Sequence, residues 1–67
     1  MMSKEGEILF STFMSEVMKH LNNGDFELTL MSLECASCVK GIKPHVQEEL
    51  LSIGVDLGRA VKLLKEI

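Results

Sequence analysis

Apolar residues in the last third of this chain recur at alternating intervals of four and three positions. Side chains three and four residues apart lie on the same face of an α-helix, so the pattern predicts a helix with a straight apolar stripe. A partner helix is needed to bury such a stripe. The stripe consists of Val46, Leu50, Ile53, Leu57, Ala60, Leu64 and Ile67.

The segment from Pro44 to Ile67 is compatible with one helix or with two. In one continuous helix the polar side chains fall opposite the stripe. In the two-helix model Gly54 ends the first helix and Asp56 caps a last helix that begins at Leu57. Because a glycine inside a helix costs about 1 kcal/mol relative to alanine, we favour the break at Gly54. In both models Pro44 occupies the first turn, where its missing amide hydrogen costs nothing.

The N-terminal segment has the pattern of an amphipathic helix over residues 4–22. Ser3 is placed to cap its first turn, and Gly24 tolerates the left-handed backbone conformation that ends many helices. These signals define both ends of the helix. Its apolar face comprises Phe10, Phe13, Met14, Val17, Met18 and Leu21.

The second segment predicts a helix from Phe26 to Lys40, with Asp25 as its N-cap. Its apolar residues occupy more than one side, which indicates a central helix with neighbours on both sides. Residues 26–30 alternate between apolar and polar and also fit a short strand. Since no other segment alternates, such a strand would have no partner, and we favour the helix. Gly41 ends it and leaves a short connection to the next segment.

Short connections join helices that pack as antiparallel neighbours. We therefore predict an all-α fold, a single domain over residues 1–67 built as a small compact bundle of three to four short helices. A chain of this length buries only about 60% of its surface, yet 46% of its residues are apolar. We expect oligomerisation to complete the bundle, with the chain itself or another protein as partner. The predicted interface residues are Leu50, Ile53, Leu57 and Leu64.

The charge pattern argues against nucleic acid as a partner. Seven basic and ten acidic residues give a net charge of −3, and the basic residues are scattered along the chain. Nucleic-acid binding needs a concentrated cationic surface. No apolar run is long enough to cross a bilayer, and the polar, acidic start does not resemble a secretory signal. We expect a cytoplasmic protein without membrane contact, whose cysteines are reduced.

Cys35 and Cys38 are the residues with the most distinctive chemistry. Two thiols about one turn apart can chelate a metal ion, but a structural zinc site needs four ligands. His45 is a candidate third ligand, and a complete site requires two chains. Thiols at a helix N-terminus are activated by the helix dipole, whereas this pair lies in the last turns of its helix. We favour the interpretation that both cysteines are small apolar residues buried in the core, with no cofactor; zinc binding and redox chemistry are the alternatives.

The order of these residues resembles the alkylhydroperoxidase-D and carboxymuconolactone decarboxylase helical fold. The resemblance covers the C-terminal half of the chain and rests on Cys35, Cys38, His45 and Gly54. In that family the histidine follows the second cysteine within one turn, whereas here residues 39–44 intervene. The resemblance implies a thiol-redox site at a subunit interface.

No set of residues in the sequence forms a nucleophile with an acid–base partner at a spacing that indicates catalysis. Glu48 and Glu49 are adjacent, so their side chains point about 100° apart on a helix and do not form a carboxylate pair. The sequence therefore favours a non-enzymatic oligomerisation or protein-interaction module. The alternative is a thiol-redox or zinc site that two subunits share.

Overall fold

The computed structural model describes residues 2–67 and contains three helices and no strand in that range. They are α1 (Lys4–Asn22), α2 (Phe26–Ser37) and α3 (Pro44–Glu66). The predicted all-α class is confirmed, and so are the predicted bounds of α1. The strand considered for residues 26–30 is the start of α2.

Side-chain caps fix the start of α1 and of α2. The Ser3 hydroxyl accepts a hydrogen bond of 3.0 Å from the amide of Gly6. A carboxylate oxygen of Asp25 accepts one of 3.2 Å from the amide of Leu28. Both satisfy amide groups that have no partner within their own helix. Gly24, with φ of 73°, supplies the left-handed turn between the two helices.

The C-terminus of α2 is three residues earlier than the sequence predicted. The helix ends at Ser37 rather than at Lys40, and Cys38 is its C-cap. The amide of Cys38 donates to the carbonyl oxygen of Cys35 at 3.2 Å, a tighter turn than the α-helical one. Gly41, with φ of 86°, then redirects the chain toward Pro44 in the first turn of α3.

The predicted break at Gly54 is wrong, because α3 runs uninterrupted from Pro44 to Glu66. Gly54 does not have the positive φ of a helix-ending glycine. A continuous helix keeps Leu50 and Leu57 in one register, so that both contact the same core. We attribute the outcome to this packing, which outweighs a glycine cost of about 1 kcal/mol.

The core lies around α2, which packs against both other helices, as predicted for a central helix. Within residues 2–67, no Cα atom of α1 lies within 8 Å of a Cα atom of α3. The fold measures 44 × 22 × 12 Å, which describes a thin layer of helices. Four buried residues form the core cluster, namely Val17, Leu33, Ala36 and Leu50.

Polar groups in this core have partners inside the chain. The hydroxyl of Thr29 donates to the carbonyl oxygen of Asp25 at 2.7 Å, and that of Ser37 donates to the carbonyl oxygen of Glu34 at 2.7 Å. The Gln47 side-chain amide donates to the carbonyl oxygen of Ser37 at 2.8 Å and ties α3 to the end of α2. Among the described residues, no buried side-chain nitrogen or oxygen lacks a partner.

Candidate interaction surface

The solvent-accessible surface area of the chain is larger than expected for a folded monomer of its mass. It amounts to 5105 Å², whereas a folded monomer of 7.5 kDa is expected to expose about 4,250 Å². The excess is about 850 Å², and large apolar side chains contribute to the exposed area on all three helices. Those at least two-fifths exposed are Ile8, Leu9, Met18, Leu21, Leu28, Met31, Leu51, Ile53, Val55, Leu63, Leu64 and Ile67.

The predicted interface residues on α3 divide between the core and the surface. Leu50 is 6% exposed and belongs to the chain's own core, and Leu57 is half-buried against that core. Ile53 is 51% exposed and Leu64 is 55% exposed. With Ala60 and Ile67, which are also exposed, they form what we call the α3 stripe: Ile53, Ala60, Leu64 and Ile67.

α3 is longer than α2, the helix against which it packs. α3 has 23 residues and α2 has 12, so α3 is about 16 Å longer at 1.5 Å per residue. Gln47 is level with the end of α2 through its bond to Ser37. The last turns of α3 expose Leu63 and Leu64, and Ile67, which follows the helix, is also exposed. Leu64 borders the cleft between the end of α3 and the α1–α2 turn.

A second exposed stripe runs along the outer face of α2. Leu28, Met31, Cys35 and Cys38 follow one another at intervals of three and four residues, and all four are exposed. We call them the α2 stripe. The structure shows that this stripe lies opposite the buried face of α2 that carries Leu33 and Ala36. Met18 and Met31 are 55% and 60% exposed.

The prediction that Cys35 and Cys38 are buried is wrong, because both are free thiols exposed on the chain surface. Their surroundings explain the difference. The face of α2 that carries Leu33 and Ala36 turns inward, and the cysteines lie on the opposite face. The Cys38 amide donates a hydrogen bond of 3.2 Å to the Cys35 carbonyl oxygen, so the two cysteines are the ends of one tight turn.

The structure does not bring His45 to the cysteines to complete a metal site. Among residues 2–67, no three histidine, cysteine or acidic side chains are grouped so that they could hold a metal ion. His45 is exposed in the first turn of α3. The second histidine, His20, lies on α1, where its Nε2 atom is 3.1 Å from a carboxylate oxygen of Glu16.

Several clefts border the helices. One of about 510 Å³ lies between the α1–α2 turn and the end of α3 and contacts Phe26, Val61 and Leu64. The cleft of about 440 Å³ between the starts of α1 and α3 contacts Phe10 and Val46. A smaller one of about 210 Å³ separates α2 from α3. The walls of these clefts are mainly apolar.

Charges along α3 are distributed unevenly. Glu48, Glu49 and Asp56 give its first part a negative charge, and Arg59, Lys62 and Lys65 give its last part a positive one. Lys65 makes an ion pair of 3.3 Å with Glu27 on α2, in which both side chains are exposed. Such exposed pairs contribute at most about 1 kcal/mol to stability.

Comparison with protein-family models, with curated proteins and with solved structures finds no match to this chain. None of the three helices is long and apolar enough to cross a membrane among the residues described.

Proposed function

We propose that this protein is a non-enzymatic self-association module, in which a second copy of the chain covers the exposed apolar surface. The observation that carries the proposal is the excess surface of about 850 Å², obtained from 5105 Å² against about 4,250 Å² expected. A stable protein–protein interface of standard size takes about 800 Å² from each partner. One such interface accounts for the excess.

The small core supports the same proposal. Among the residues that the structure describes, five hydrophobic ones are buried, namely Val17, Leu33, Ala36, Val39 and Leu50. Large apolar side chains are exposed on all three helices, and exposed apolar patches are typical of interaction sites. Association gives the chain the burial that its own three helices do not provide.

The concentration dependence of thermal unfolding tests this function. Because assembly stabilises the folded chain by mass action, the Tm of the wild type should rise as the chain concentration increases. Leu64→Gln should weaken that dependence, since it places an amide in the apolar contact. Ser52→Gln, an exposed position on the polar side of α3, is the matched control and should behave as the wild type. A Tm that is constant from micromolar to millimolar chain would contradict the proposal.

A second candidate function uses the thiol pair as a zinc or thiol-redox site at a subunit interface. The observation that favours it is that Cys35 and Cys38 are both exposed and share one face of α2. Two chains would supply four thiolates to one zinc ion, the number that a tetrahedral site requires. In the redox form, the two thiols of one chain release two protons and two electrons to a low-molecular-weight disulfide, which is reduced to two thiols.

Metal analysis and thiol titration test this second function. Zinc sharing predicts about half a zinc per chain that Cys35→Ser abolishes, with His45→Gln as the control that retains it. The redox form predicts that glutathione disulfide removes both thiols and leaves a chain two mass units lighter. Protein without bound zinc, whose two thiols persist under that treatment, would contradict both forms.

A further inference from the structure

We propose that Met31, Cys35 and Cys38 form a binding site for one Cu(I) ion on the surface of a single chain. Each of the three side chains carries a sulfur atom, and all three are exposed on the outer face of α2. This inference does not rest on self-association. It also differs from the zinc alternative, because it uses a third sulfur ligand and needs no second chain.

The packing of the chain does not account for a methionine at position 31. The Met31 side chain is 60% exposed, whereas Leu33 and Ala36 on the opposite face of α2 are buried. The core of the chain therefore does not need a large apolar side chain at that position. Beside two exposed thiols, the thioether of Met31 has a chemical use, because it is a soft metal ligand.

Helix geometry places the three sulfur-bearing side chains on one face. Met31 and Cys35 are four residues apart, which offsets them by about 40° around the helix axis and separates their Cβ atoms by about 5–6 Å. The hydrogen bond of 3.2 Å from the Cys38 amide to the Cys35 carbonyl oxygen joins the two cysteines in one tight turn. Ligands four or three residues apart on a helix share one metal ion in several classes of metalloprotein. The same spacings here bring three sulfurs within reach of one ion.

The long side chain of Met31 supplies the adjustment that a common ion requires. Methionine is unbranched and has three rotatable bonds, so its sulfur can move along the exposed face of α2 toward Cys35. The two cysteine side chains are short, and the turn between them fixes their positions. The thiols therefore set the place of the ion, and the thioether closes on it.

The ligand set selects Cu(I) by softness and by ligand number. Thiolate and thioether sulfurs are soft ligands, which favour Cu(I). A structural zinc site needs four ligands, and within residues 2–67 no three histidine, cysteine or acidic side chains are grouped to hold a metal ion. Calcium and magnesium ions take oxygen ligands. Of these ions, Cu(I) is the one that two thiolates and one thioether of a single chain suit.

Binding changes the protonation of the thiols and not the oxidation state of the metal. Cu(I) replaces the proton of each thiol, so that two protons are released per ion, and the thioether binds without losing a proton. No electron is transferred. Because the three ligands are exposed, thiols of another molecule can reach the bound ion. The site is therefore suited to reversible carriage of Cu(I).

Competition with the Cu(I) chelator bathocuproine disulfonate, without oxygen and with reduced protein, measures the affinity. The wild type should retain one Cu(I) per chain. Met31→Leu should weaken binding by about 10- to 100-fold, the loss that follows even when a residue that only supports a metal ligand is removed. Met18→Leu is the matched control, because Met18 is a methionine on α1 that is 55% exposed, and it should bind Cu(I) as the wild type does. Equal affinities of Met31→Leu and the wild type would overturn the inference.

The number of sulfur ligands gives a second readout that needs no variant. X-ray absorption at the copper edge of the wild type loaded with Cu(I) should find three sulfur atoms around the ion. Two sulfur atoms would exclude Met31 from the site and overturn the inference. Circular dichroism of each metal-free variant beside the wild type checks that the substitution has left the helices intact.

Stoichiometry separates this inference from the proposed function. Half a Cu(I) per chain would place the ion between two chains and overturn the inference, and so would failure of the wild type to retain Cu(I) against the chelator. Neither result bears on self-association, which sedimentation of the metal-free chain measures. A chain that stays monomeric and binds one Cu(I) would overturn the proposed self-association alone.

Discussion

Leu50 and Ile53 are three residues apart in the same apolar stripe, yet Leu50 is 6% exposed and Ile53 is 51% exposed. The two side chains differ by about 60° around the helix axis. Leu50 points to α2 and belongs to the core cluster, whereas Ile53 lies on the exposed flank of α3. One stripe therefore serves both the chain's own core and the surface that we assign to the second copy.

The division of this stripe predicts different effects for two neighbouring leucines. Leu50→Ala should lower the free energy of unfolding by about 2–5 kcal/mol, because it removes a buried side chain and leaves a cavity. Leu51, which is 49% exposed, is the matched control, and Leu51→Ala should cost less than Leu50→Ala. Urea unfolding at one fixed chain concentration measures both. Equal losses would show that the assigned register of α3 is wrong.

Continuity of α3 through Gly54 predicts that an alanine stabilises the protein there. A Cβ atom added at Gly54 meets no heavy atom within 4 Å, and alanine is favoured over glycine in a helix by about 1 kcal/mol. Gly54→Ala should therefore raise the free energy of unfolding by up to that amount. If α3 were broken at this glycine, with a positive φ, the substitution would instead destabilise the protein.

Gly24→Ala is the control for this substitution. Gly24 also has open space around it, but its φ is 73°, a conformation that disfavours side chains. The same glycine-to-alanine change should therefore destabilise the protein at position 24. Thermal or urea unfolding of the two variants beside the wild type measures the opposite signs.

Caps and turn residues could be predicted from the sequence because their effects are local. Ser3, Asp25, Gly24 and Pro44 act on their own helix ends, and the structure places each one as expected. The continuity of α3 depends instead on the packing of Leu50 and Leu57 against the core around α2. The residues next to Gly54 in the sequence carry no information about that packing. Propensity of about 1 kcal/mol is readily outweighed by tertiary packing.

The candidate site could be predicted only in part, because periodicity shows which residues share a face and not which face turns inward. α2 carries two apolar stripes, and the one containing Leu33 is buried, while the one containing Cys35 and Cys38 is exposed. Small partners such as Ala36, which is fully buried, mark the inner face. That small-residue signal within α2 could have distinguished the two faces.

Exposure of the α2 stripe predicts that both cysteines react with a thiol reagent in the folded protein. Titration with a disulfide reagent such as dithionitrobenzoate should find two thiols per chain without denaturant, at rates close to those in urea. The titration is made at a chain concentration at which sedimentation finds single chains. Thiols that become accessible only on unfolding under that condition would contradict the exposure of the α2 stripe.

Sedimentation equilibrium of the wild-type protein tests the central claim of self-association most directly. The chain has a mass of 7.5 kDa, and the account predicts a solution mass of about twice that value or more at micromolar concentration, as expected for a two-fold dimer or a larger closed assembly. On dilution, the measured solution mass should fall toward the mass of one chain. A mass of 7.5 kDa that does not change across the micromolar range would contradict the account.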